Sequence, residues 1–152
     1  MFKPMTIGYY KQVRNNPRCK AEVNLMAGMA VVIDETNKKA SLPTEEGAKG
    51  ELWIVSNIID KPEIRNKEDF VIPAGEYVRA DLLADAKELI VELDFRVIKT
   101  DYATLKVGDK LVANTEGKWE VAADVTGYAI YLEIVEKSSF GDKGIAAVVK
   151  IA

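Results

Sequence analysis

From Leu89 to Ile98 the chain places Leu89, Val91, Leu93, Phe95 and Val97 on one parity and Glu92, Asp94 and Arg96 on the other. That is a period of two, the repeat of a strand with one apolar and one charged face. A helix would scatter the three charges through its apolar stripe. The segment is therefore predicted to be a strand, with Val91, Leu93 and Phe95 buried and Glu92 and Asp94 on a solvated face.

Shorter β-type runs surround it. Met29–Ile33 leads through the polar turn Asp34–Lys39 into Ala40–Pro43, and Glu51–Ser56 follows Gly47 and Gly50. Glu76–Ala80 follows Pro73-Ala74-Gly75, a turn in which proline presets φ and glycine permits positive φ. Lys110–Ala113 and Lys118–Ala122 flank Asn114-Thr115-Glu116-Gly117, a hairpin signal. Tyr128–Val135 and Ile145–Ile151 read as a second hairpin with a longer tip. Helix signal is thin; the best segment is Ala80–Glu88, where Asp81 is placed to cap a turn or two. Short strands separated by Gly, Pro and Asn turns predict a mainly β fold, a small β-barrel or β-sandwich with little helix.

The expected organisation is an extended N-terminal arm over 1–27 and a β domain over 28–152. The arm is locally basic, with Lys3, Lys11, Arg14, Arg18 and Lys20 against Glu22. A solvated arm is the plainer reading of those charges, and contact with an acidic partner the sharper one. Ile7, Tyr9 and Tyr10 form an apolar island in it and are the candidate interaction residues. On this reading, removing residues 1–18 leaves the β domain folded. The charged segment Asp60–Asp69 is a second candidate interaction element.

Several kinds of chemistry are excluded or disfavoured. The chain has no histidine, which removes Ser-His-Asp and Cys-His arrangements, HExxH metal sites and imidazole proton shuttles. Cys19, the single cysteine, lies between Arg18 and Lys20, whose charge lowers a thiol pKa. Without a histidine base, a structural role fits it better. Glu45-Glu46 and Glu68-Asp69 lack the alternating acidic pattern of a calcium loop, and Asp34–Asn37 reads as a turn. Carboxylate pairs such as Glu92 and Asp94 fit a solvated face better than a cleft. No glycine run has phosphate-loop spacing. Trp53, Trp119, Tyr128 and Tyr131 lie in apolar strands, where packing is the expected role. No catalytic residue, cofactor or metal is expected, and the protein is not expected to be an enzyme.

At 152 residues with a net charge of −3, the chain is long enough for a sizeable core and carries no basic footprint for nucleic acid. A lone cysteine offers no disulfide framework. Neither a signal-peptide core nor a membrane-length apolar run is visible, so synthesis in a cytoplasm is expected, with no membrane partner.

The order of segments carries a resemblance. Gly28–Asp34 passes through a Lys-rich turn to Ala40–Thr44, then to Glu51–Asn57, Ile72–Arg79 and Leu105–Ala113. A Gly-Lys-Trp hairpin follows, and the chain closes with Gly127–Val135 and Gly144–Ile151. Over about residues 28–151 this resembles the small β-rich structural proteins of tailed bacteriophages, in particular capsid decoration (cement) and head-fibre-like proteins. The resemblance implies a non-enzymatic virion protein, made in the host cytoplasm, that binds the major capsid protein or another virion protein as a homo-oligomer. It extends to tail and baseplate components. The rival reading is a small β-barrel ligand-binding protein or a carboxylate-only enzyme. A ligand barrel needs an unfilled interior, and the bulky set Leu89, Val91, Leu93, Phe95 and Val97 argues for a filled one.

Overall fold

The computed structural model describes residues 1–59, 63, 70–139 and 143–152, with backbone alone at 138 and 139. In chain order its elements are β1 (Phe2–Pro4), the one-turn helix α1 (Tyr9–Gln12), β2 (Asn15–Ala21), β3 (Ala30–Asp34), β4 (Lys39–Ser41), β5 (Trp53–Val55), β6 (Tyr77–Leu82), β7 (Ile90–Asp94), β8 (Lys110–Ala113), β9 (Trp119–Val121), β10 (Ile130–Ser139) and β11 (Gly144–Ile151). The fold is mainly β. β2-β4-β3-β5-β6 form a closed barrel, and β1-β7-β11-β10-β8-β9 form a six-stranded sheet.

Register explains what fills the barrel. Directly paired residues share a face, so Cys19↔Val78, Ala21↔Ala40, Val31↔Trp53 and Val55↔Ala80 place one set of side chains inside. Five strands enclose little space, and Cys19, Ala21, Ala40, Val78 and Ala80 are small and buried. The opposite face carries the row Ala30↔Ile54↔Asp81. All three residues are buried, so the rest of the chain covers that outer face.

The sheet contributes to this cover. Leu93↔Ile145, Val91↔Ala147, Leu132↔Val149 and Leu132↔Leu111 define its apolar face. These residues share one hydrophobic core with the barrel. Trp119 is fully buried, and its indole N–H donates to the Gly28 carbonyl at 2.9 Å. The β8–β9 turn meets the barrel where the Ala30 N–H donates to the Gly117 carbonyl at 2.8 Å.

Gly117 has φ +70, and a Cβ there would lie 2.8 Å from the Ala30 carbonyl oxygen and 2.9 Å from Leu42 Cδ2. Gly117→Ala is expected to destabilise the protein by about 1–3 kcal/mol through overpacking and backbone strain, read as a lower urea midpoint.

Several expectations need correction. The N-terminal segment is not an extended arm: β1 pairs with β7 (Phe2↔Leu93), and β2 closes the barrel against β6. Proline inside Asn15–Ala21 hid that strand; a bulge between Asn16 and Cys19 accommodates Pro17. Ala80–Glu88 is not an α-helix. It begins inside β6 and continues as a 3-10 turn over Leu83–Ala86. The strand foreseen over Leu89–Ile98 is shorter, because Asp94 accepts the Arg96 N–H and starts a 3-10 turn at Phe95–Val97. Val91 and Leu93 are buried as expected, and Phe95 is half-buried. Glu92 and Asp94 are buried rather than solvated, with Lys3 of β1 at 3.8 Å from Glu92 and β1 and β11 on either side of β7. Asp94 bonds Arg96 and the Met1 amino group.

β1 is an edge, yet it is poorly suited to recruit another strand. Met5 N–H donates to Ile90 O and Asp94 N–H to Met1 O, so Pro4 falls at an outward position where its missing N–H removes a donor from the free edge.

Candidate functional site

The turn from Met5 to Lys11 is where the sequence-selected interaction residues lie. Met5 N–H donates to Ile90 O, and Thr6 Oγ1 accepts the Ile90 N–H at 3.0 Å, pinning the end of β1. Gly8 then takes a left-handed conformation, φ +88, and starts α1. Its far end is held by Gln12 Nε2 on Asp85 O and by a two-pronged Arg14–Asp85 contact at 2.6 and 2.9 Å.

This geometry separates the three candidates. Tyr9 points inward and is 1% exposed, whereas Ile7 is 101% and Tyr10 65% exposed. Met5 is also an exposed large apolar residue. The turn therefore holds Ile7 and Tyr10 in water with Tyr9 as its anchor. An apolar island read in linear order gives no sign of which member turns inward.

Beneath Tyr9 lies a polar cluster that the sequence did not suggest. Asp81, 2% exposed, accepts a hydrogen bond from Ser56 Oγ at 2.9 Å through Oδ1. Its Oδ2 and the Tyr9 hydroxyl are both buried without a hydrogen-bond partner. The two groups act on each other electrostatically. Burial pushes the Asp81 carboxyl up, and Ser56, Tyr9 and Arg79 pull it back part of the way. Burial, followed by the Asp81 charge, pushes the Tyr9 phenol far up. A group sealed this way is poorly placed to meet a substrate.

A groove of about 310 Å³ opens beside β1, lined by Phe2, Met26, Ile58 and Phe70, with Lys3 and Arg96 among its polar groups. None of its described lining residues is a carboxylate. The Phe2 ring lies 6.2 Å from the Tyr9 ring, which meets Tyr10 edge-on at 5.5 Å, so the groove adjoins the turn. Of the candidate loop Asp60–Asp69, all but Glu63 lies outside the described residues, as do Glu68-Asp69 and the hairpin tip at 140–142.

The other sequence candidates take structural places. Cys19 is buried, and burial followed by Glu35 raises its thiol pKa. Asp34 accepts from the Asn37 backbone N–H and side-chain amide at 3.0 and 2.7 Å, as a turn-forming aspartate does. No grouping of three or more Cys, Asp or Glu fit to hold a metal occurs among the described residues. No helix among them is long and apolar enough to cross a membrane. No family model matches this chain, and neither a curated protein nor a solved structure matches it.

Proposed function

We propose that the protein is a non-enzymatic virion component that attaches to the outer surface of a phage capsid, with the Met5–Lys11 turn as its contact. The resemblance in segment order supplies the virion part of this reading. The observation that carries the contact is the full exposure of Ile7 on a turn bonded at both ends. Apolar side chains held in water by an ordered backbone contribute about 25 cal/mol for each Å² they bury on a partner. Ordering such a turn in advance lowers the entropy cost of docking.

One small contact is weak, so attachment calls for several copies acting together. A homo-oligomer of this protein would combine them through effective concentration. A carboxylate-only enzyme would need carboxyl groups converging on an accessible cleft. Asp81 is sealed under Tyr9, and the groove brings no carboxylate among its described lining residues. The test is co-sedimentation of purified protein with undecorated capsids. Saturable pelleting at a fixed ratio to capsomers is the expected result; protein left in the supernatant at every concentration would overturn the proposal.

A further inference from the structure

The buried carboxylate under α1 gives the exposed turn a control point. We propose that Asp81 is a proton-operated latch on the Met5–Lys11 turn, clamping Tyr9 when protonated and loosening it when ionised. The latch is a property of the fold; its bearing on capsid attachment rests on the contact reading above.

The geometry is a cluster of three side chains from three places in the chain. Tyr9 comes from α1, Ser56 from the residue that follows β5, and Asp81 from β6, where Asn15 of β2 pairs with it. Protonated, Asp81 has a donor at Oδ2 to offer the unpartnered Tyr9 oxygen, while Oδ1 keeps the Ser56 hydroxyl. Ionised, the carboxylate is a charge out of water, and the Ser56 and Tyr9 hydroxyls with Arg79 offset its burial only in part. A buried charge so lightly compensated is costly. Among the described residues, the titratable and charged groups acting on Asp81 are Tyr9 and Arg79; Tyr9 stays neutral because its own ionisation is pushed far up. Arg79 is the cation among these and only partly offsets burial.

Relief is available locally. α1 is a single turn, and lifting Tyr9 would bring water to Asp81 without undoing the barrel strands. Ile7 and Tyr10 flank Tyr9 within two residues, so its release would free the side chains that the turn displays.

The direction with pH follows from linkage. Asp81 is raised in the closed state and ordinary once solvated. Closure is therefore favoured most below the ordinary carboxylate range, weakens as pH rises through the window up to the raised value, and is constant above it. Amide hydrogen exchange at Lys11 and Val13, whose N–H groups bond Gly8 O and Tyr9 O, reads this opening.

With intrinsic rates divided out, protection in the free protein should fall between pH 5 and pH 8. The fall is about tenfold for each pH unit that Asp81 titrates above its ordinary value within that interval. Asp81→Asn should remove the pH dependence. Equal protection at both pH values in the wild type, or the same fall in the variant, would overturn the latch. If Asp81→Asn does not fold, the ¹³C titration of the wild-type Asp81 carboxyl decides: a midpoint above the ordinary carboxylate range supports the latch, and one at or below it rejects it. Neither measurement involves capsids, so a failed latch leaves the contact reading standing, and failed pelleting leaves the latch standing.

Discussion

Removing residues 1–18 leaves no cooperatively folding protein. The deletion takes β1, α1 and the first four residues of β2, including Asn15 and Asn16, which pair with Asp81 and Ala80. The barrel then opens between β2 and β6, and β6 becomes an edge with unpaired backbone groups. Tyr9, which covers Asp81, is lost as well, so a carboxylate buried in the whole protein meets solvent. An open five-strand barrel of small interior residues has little apolar area with which to offset its chain entropy. Far-UV circular dichroism and a thermal melt check this: the expected trace has no sigmoidal transition. A truncated protein melting like the full chain would mean that β2 is dispensable.

Trp119→Ala is expected to cost about 3–5 kcal/mol from the lost ring alone. The indole lies at the junction of sheet and barrel with no exposed surface, and its N–H satisfies the Gly28 carbonyl. Gly28 itself is tightly enclosed, with Leu93 Cδ2 3.0 Å from where a Cβ would be, so the surroundings have little room to collapse into the vacancy. For a chain of this size the loss corresponds to a fall in Tm of roughly 6–20 °C. Trp119→Phe keeps much of the volume and loses the hydrogen bond, so its effect should be smaller. Urea titration followed by circular dichroism separates the three proteins. An unchanged midpoint for Trp119→Ala would show that the junction does not couple sheet and barrel.

Much of this architecture was legible wherever side chains alternate and turns carry Gly, Pro or Asn. The hairpins at Ala30–Ser41 and Lys110–Val121 fall where their turn residues place them, and the β7 alternation survives as Val91 and Leu93 in the core. What escaped is long-range. β2 contains Pro17 and alternates poorly because of its bulge, so nothing local distinguishes it from a loop; its identity comes from β6, about sixty residues away. Asp81 reads locally as a helix cap, yet register sets it in the outer row beside Ile54, under Tyr9. Glu92 and Asp94 looked solvated because alternation tells inside from outside only when the other face meets water. Here the Met1 amino group and Arg96 close over Asp94, and Lys3 of the neighbouring β1 lies 3.8 Å from Glu92. The contact turn was found as a segment, Ile7 to Tyr10, but its inward and outward members depend on Gly8 and on bonds to Ile90 and Asp85.

The claim that the Met5–Lys11 turn is the attachment surface is tested most directly by co-sedimentation of surface variants with undecorated capsids. Ile7→Asp combined with Tyr10→Asp changes two exposed side chains; Val107→Asp, at another exposed apolar position, serves as the matched control. Both proteins should fold with wild-type circular dichroism. The account predicts that the Ile7/Tyr10 variant stays in the supernatant while the Val107 variant pellets like the wild type. Pelleting of the Ile7/Tyr10 variant at wild-type affinity would contradict it.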